Sequence, residues 1–267
     1  MFFDSMYFCL SNYSKMYSVR LTTNAHGKTT FHLFLFIVAL SAWLIYSYGM
    51  NYLLIFCASS IVHVLIETGL FLSKLRKGDM YYGRYKLPKT VEILLRSMVE
   101  GPAFCVPAFF VADQMVKGNW KEAIASAIIV VGTASFYLGW FDRKHKNAAK
   151  SAGDLIISRR AMSKPKVIML LALINSICLL AIVFLPVEQH LHAFTYYFAY
   201  AGFVLLFYFI NYNLGVRYIE LYNPEKKCFE KPGLGLQVAG LIYDSAYEMT
   251  LLISPTYWLC FYLGFFQ

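Results

Sequence analysis

Ser97-Met98-Val99-Glu100-Gly101-Pro102-Ala103-Phe104-Cys105-Val106-Pro107 is an apolar stretch interrupted by a serine, a carboxylate and two prolines. The same punctuation returns 148 positions later, as Ser245-x-x-Glu248-x6-Pro255. A carboxylate inside a membrane-spanning helix is costly unless it is paired or protonated, so it marks a functional site by default. Two at matched positions point to a duplicated membrane unit built around buried acids.

Composition agrees that the medium is lipid. Of 267 residues, 59% are hydrophobic and 18% aromatic, with a mean hydropathy of +0.53. Soluble domains lie nearer 45–50% apolar. Seven stretches have the length and character of transmembrane helices: 31–49, 51–73, 92–116, 121–141, 166–186, 193–215 and 236–265. Each nears or exceeds the ~20 residues that cross ~30 Å of hydrocarbon. Period-2 patterning of a barrel is absent, so the sequence predicts an all-α polytopic bundle.

The basic residues set the orientation. If all seven spans cross, the tail, the 74–90 loop, the 142–166 loop and the 216–235 loop share one side and hold 21 Lys and Arg. The other side holds only Lys117 and Lys121, with Arg96 inside a helix. Such a partition predicts a cytosolic N-terminus. It also explains the net charge of +9 through short loops near anionic headgroups, which argues against a nucleic-acid partner. The expected divisions are a cytosolic tail (1–30), a four-helix half (31–141), a basic linker (142–166) and a three-helix half (167–267). The 148-residue shift carries one half onto the other as a parallel 4+3 repeat. No cleavable leader is evident, and the Asn12-Tyr13-Ser14 sequon falls on the cytosolic side. The six cysteines include no CxxC pair and read as small apolar fillers.

The groups able to carry chemistry converge in depth. His63 and Glu67, four apart, share a helix face. Counted from the cytosolic ends of their spans, His63, Glu67, Glu100, Asp244 and Glu248 lie about 9–18 Å deep at ~1.5 Å per residue. The shift sets His63 opposite Asn211 and Glu67 opposite Gly215, so the second half lacks that pair. Glu92 and Glu100 each stand four residues from Arg96, where ion pairing would make them structural. Arg96 and Asp244 are repeat equivalents and are expected to pair across the halves. Tyr247 and Trp258 are candidates for contacting an apolar ligand. Glu188, His190 and His192 form the one surface cluster resembling a metal site, and none is expected there. Span 7 has no lysine for a Schiff base, and no Walker A or Asp-rich prenyl-diphosphate motif occurs.

The region 53–141 resembles an EXPERA domain, the family of emopamil-binding protein, the sigma-two receptor and the transmembrane-6 superfamily. Ile61-Val62-His63-Val64-Leu65-Ile66-Glu67 resembles its His-x-x-x-Glu motif. Glu100-Gly101-Pro102 through Pro107, then Lys117-Gly118-Asn119-Trp120, is similar to the acid, double proline and Lys-Gly-x-x-Trp pattern. Lys77-Gly78-Asp79 also has a counterpart. The resemblance implies an endoplasmic-reticulum protein with a sterol-shaped, acid-lined cavity and no cofactor. His63, Glu67 and either Glu92 or Glu100 would move protons on a ring alkene, while Glu92, Asp244, Glu248, Tyr247 and Trp258 would line the pocket. A non-catalytic lipid sensor, a membrane terpene cyclase and a small transporter or channel are the alternatives. The lipid bilayer and a sterol or isoprenoid are the expected partners, and a homo-oligomer is left open.

Overall fold

The computed structural model describes residues 15–23, 26–73, 79–137, 155–162, 165–250 and 254–265. The sequon, Lys77, Gly78 and residues 142–154 lie outside them. The helices are α1 (His26–Tyr48), α2 (Asn51–Leu72), α3 (Lys89–Glu100), α4 (Pro102–Val116), α5 (Trp120–Phe136), α6 (Pro165–Ile182), α7 (Val187–Asn213), α8 (Leu234–Glu248) and α9 (Ser254–Tyr262). Four stretches are helical, long and apolar enough to cross a membrane: Thr30–Tyr48, Asn51–Leu72, Lys89–Val116 and Val187–Asn213. Met169–Ile182 is a shorter apolar helix.

The distribution of side chains is inverted relative to a soluble protein. His63, Glu67, Glu92, Arg96 and Asp244 are buried, while Leu65, Ile128, Leu173, Leu180 and Phe209 face outward. Lipid tails supply the apolar surroundings that make such a surface cheap, and they make buried polar groups seek one another. One hydrophobic core serves the whole bundle. It joins Tyr52, Cys105 and Phe109 to Tyr196, Tyr200 and Tyr257, so residues of both halves interdigitate. Helix α4 packs most extensively on α7, and α2 is held between α3 and α4 on one side and α9 on another.

The chain is mostly helical but not all-α, which amends the expected fold class. Strands β1 (Lys15–Thr23), β4 (Leu155–Ala161), β5 (Arg217–Asn223) and β6 (Cys228–Glu230) form an antiparallel sheet in the order β4-β1-β5-β6. A two-residue hairpin, β2 (Tyr81–Tyr82) and β3 (Tyr85–Lys86), precedes α3. The sheet uses three segments whose lysines and arginines mark them as polar loops. Its pairing is long-range, Val19 standing opposite both Arg159 and Tyr218, so no local signal announces it.

The sheet is seated on α8. β6 pairs only with Leu221–Asn223, and the Gln237 amide satisfies Ile219 farther along the strand. The Ile219 N–H donates to Gln237 Oε1 at 2.8 Å, and Gln237 Nε2 donates to the Ile219 carbonyl at 3.0 Å. Gly240 makes this approach feasible, because a Cβ there would collide with the Ile219 side chain.

Candidate functional site

The site begins with two interrupted helices. Helix α3 ends at Glu100 and α4 restarts at Pro102, with Gly101 between them. Proline suits the first turn of a helix, where its missing N–H is not needed. The Gly101 carbonyl accepts from the N–H groups of Phe104 and Cys105, so the new helix starts at once. Gly101 is required by proximity. A Cβ there would lie 2.5 Å from His63 Nδ1 and 2.7 Å from the Ser59 carbonyl oxygen. The absent side chain lets α2 bring its imidazole directly against the break.

The second copy is interrupted at the matching residue. Helix α8 ends at Glu248, a π-type turn follows at Met249–Thr250, and α9 begins at Ser254. Thr250 Oγ1 donates to the Ala246 carbonyl and accepts from Asn175 Nδ2, whose Oδ1 takes the Tyr197 hydroxyl at 3.0 Å. Thus α6 and α7 pin the end of α8. Both signature glutamates are the last residues of their helices, and each signature proline lies in the helix that follows.

His63 lies within electrostatic range of both glutamates, Glu100 first and Glu248 second. It is 1% exposed. Its Nδ1 is 3.1 Å from the Ser59 carbonyl, a contact that places the proton on Nδ1 in the neutral ring. Nε2 is buried and has no hydrogen-bond partner among the described residues. Such an atom costs about 1–3 kcal/mol relative to a satisfied one, the kind of expense that functional sites retain. Glu67, one turn along α2, is buried as well.

Distances separate the roles of the three groups on α3. Arg96 Nε and Nη2 donate to Glu92 Oε1 at 3.2 and 3.1 Å. Lys89 Nζ donates to Glu92 Oε2 at 3.1 Å, and the Met80 N–H reaches the same oxygen at 3.3 Å. Glu92 therefore ties the β2–β3 segment to α3. Arg96 reaches Glu100 only at 3.8 Å, and the Glu100 side chain is a third exposed. Glu92 is a structural anchor; Glu100 stands farther from the arginine they share.

Asp244 pairs elsewhere than expected. Its oxygens take Arg160 Nη2 at 2.7 Å, the Ser18 hydroxyl at 2.8 Å and the Tyr212 hydroxyl at 3.1 Å, with Arg217 Nη1 at 3.6 Å. Arg96 is committed to Glu92, so the Arg96–Asp244 pair gives way to a link between sheet and helix. Three strands meet on this one fully buried carboxylate. Burial opposes the charge of both arginines. Asp244 raises Arg160 above its usual range, and Tyr208 with Asp244 does so for Arg217. Glu248, one turn beyond Asp244, adds to both effects.

The aromatic candidates have other neighbours. The Tyr247 ring carries the Arg160 guanidinium at 4.4 Å and stacks on Tyr243. Trp258 packs among Tyr257, Phe261 and Tyr262 on α9. Glu188, His190 and His192 lie on the first turns of α7. His190 Nε2 is 2.8 Å from the Leu185 carbonyl, and the buried His192 ring meets Phe109. Among the described residues no group of three His, Cys, Asp or Glu side chains is placed to hold a metal ion.

One cluster escaped the sequence reading. The Cys105 thiol is fully buried, with the hydroxyls of Tyr196, Tyr200, Thr256 and Ser59 within its interaction range. Among the described residues, Tyr200 Oη and Thr256 Oγ1 nevertheless make no aligned hydrogen bond. Each of these groups looks like ordinary packing in isolation. Only their gathering from α2, α4, α7 and α9 is informative, and no spacing in the sequence reveals it. No protein-family model matches the chain, and neither a curated protein nor a solved structure shows significant similarity to it.

Proposed function

We propose that this is a seven-span membrane protein with its sheet on the cytosolic side and an acid–base site at His63, Glu100 and Glu248. The proposed substrate is an apolar lipid of the sterol or isoprenoid class, and the reaction is the shift of an alkene. The observation that carries the reading is the convergence of two helix breaks, each preceded by a glutamate, on a buried imidazole with an unsatisfied nitrogen.

The chemistry follows from these groups. A protonated Glu100 donates its proton to one alkene carbon, and the π electrons form the new C–H bond, leaving a tertiary carbocation on the other carbon. Carboxylate charge beside the cation lowers its energy, as preorganised electrostatics do at developing charge. His63 Nε2 then accepts a proton from the neighbouring carbon, and the C–H electrons close the shifted double bond. Return of that proton to Glu100 resets the site with no net consumption. General acid–base steps of this kind contribute about 10²–10⁴-fold each. The EXPERA-like motif supports the sterol class and endoplasmic-reticulum residence.

A second reading has one observation in its favour. Interrupted helices whose ends meet near the midplane also build the binding sites of secondary transporters, so a proton-coupled carrier fits the paired breaks.

Expression in sterol-isomerase-deficient yeast, with sterols profiled by mass spectrometry, tests the leading reading. Rescue is expected for the wild type and loss for Glu100→Gln and His63→Gln at equal protein levels. Equal rescue by all three would sink the mechanism; absence of both rescue and co-purifying sterol or isoprenoid would remove the substrate class.

A further inference from the structure

Three helices carry polar groups at four-residue spacing along their shared interface, far beyond the acid–base cluster. On α2 these are His63 and Ser59, with Tyr52 two turns on from Ser59. On α4 they are Cys105 and Asp113, separated by Phe109. On α7 they are Tyr200, Tyr196 and His192. Cys105, Tyr200 and Tyr196 are wholly buried, and the Tyr196 and Tyr200 ring centroids lie 6.3 Å apart. Tyr200 lies within range of both Glu248 and Cys105, so it bridges the acid cluster and the thiol–hydroxyl cluster. Beyond them, Phe109 stands edge-on to Tyr196 at 6.3 Å and to His192 at 5.1 Å. His192 in turn feels the charge of Asp113, which accepts from Tyr52 at 3.0 Å and from Lys117 at 2.9 Å.

We propose that this series is a proton path joining the His63–Glu100–Glu248 cluster to Asp113 at the opposite end of α4, with Phe109 as its barrier. The rise from Glu100 to Asp113 is roughly 20 Å at ~1.5 Å per residue, most of the way from mid-bundle to the far face. The inference rests on reading the cluster as a proton-exchanging site and does not depend on the lipid chemistry.

Simple packing explains the series poorly. Tyr200 Oη and Thr256 Oγ1 are buried hydroxyls without an aligned hydrogen bond among the described residues, a net cost that Phe and Val would avoid. A relay group needs the freedom that an aligned bond removes. It accepts a proton on a lone pair and releases its own to the next neighbour, so every hop breaks one O–H, S–H or N–H bond and makes another. Phe109 offers no lone pair. It interrupts the series between Tyr196 and His192, and its displacement is the step that lets a proton pass.

The test uses the full chain in phosphatidylcholine vesicles with an entrapped pH-sensitive dye. A potassium diffusion potential set by valinomycin drives proton flux. The wild type is expected to exceed protein-free vesicles, Tyr200→Phe to slow the flux about tenfold, and Phe109→Ala to raise it several-fold. Thr256→Val provides a second relay variant, and melting curves identify any variant that has not folded. Flux at the protein-free rate for both wild type and Phe109→Ala overturns the path. So does unchanged flux in Tyr200→Phe and Thr256→Val together. Flux without lipid conversion defeats the isomerase reading while upholding the path; conversion without flux does the reverse.

Discussion

The two Ser-x-x-Glu-x6-Pro copies end their helices at the same residue but secure that ending differently. In the first, Glu100 stands 3.8 Å from Arg96, which is already engaged by Glu92, and Gly101 allows His63 to press against the chain. In the second, Met249 takes the place of that glycine. The preceding turn carries Asp244, gripped by Arg160, Arg217, Ser18 and Tyr212. One copy sets its acid 3.8 Å from an arginine and beside a buried imidazole; the other uses its neighbouring acid to fasten a sheet. The two segments thus differ less in where their helices end than in what their charges do.

The sharpest test of this contrast removes the fastening. Asp244→Asn leaves two arginines facing a neutral group, and loss of one partner from a buried ion pair costs about 3–5 kcal/mol. Thermal unfolding in detergent should show it. Against that, Glu100→Gln weakens an ion pair of 3.8 Å on a side chain a third exposed, and the smaller loss is expected. Equal losses would erase the distinction between the copies.

The breaks themselves can be compared next. Gly101→Ala forces a methyl against His63 and the Ser59 backbone, and overpacking of this kind costs about 1–3 kcal/mol. Met249→Gly, the reciprocal change, adds no clash but removes a side chain packed against the core, so its loss comes from lost packing and backbone entropy. Met249→Ala at the second position introduces no such clash either, and an unfolding midpoint of Gly101→Ala no lower than that of the parent would show that the first break is not tight.

The smallest expected effect concerns the hairpin beside the first copy. Hydrogen bonds from Lys86 and Lys89 hold the Asp79 carboxyl below its usual range. Its contribution is therefore present above the ordinary carboxylate range and is lost as pH falls through the lowered value. The protection factor at Leu87, whose N–H donates to the Met80 carbonyl, should fall as pH drops through that lowered value.

Much of this was legible in the sequence. The apolar lengths announce the four long helices, Gly101-Pro102 announces the first break, and the Glu92–Arg96 spacing announces the anchor. The second break carries weaker signals, since Met249 and Thr250 are not helix breakers and Pro255 lies seven residues past Glu248. The sheet was hidden because its strands carry charges that read as polar loops, and the partners of β1 lie far away in the chain. Asp244 was assigned to the wrong arginine for the same reason: repeat symmetry suggested Arg96, whereas long-range pairing brought Arg160 and Arg217. The Cys105 cluster had no signal, because single Cys, Tyr and Thr residues in apolar helices are common.

Finally, β1 is the second of four strands in space yet the first in sequence, flanked by Leu155–Ala161 and Arg217–Asn223. During synthesis its backbone donors and acceptors have nothing to pair with until most of the protein has been made and inserted. An open strand edge of this kind invites pairing with other chains, and non-local contacts are slow to close. The nascent chain therefore passes through a long interval in which helices are already in the bilayer while the tail waits in water. Premature truncation after α7 would leave β1 paired with β4 alone, its other edge open to pairing with other chains.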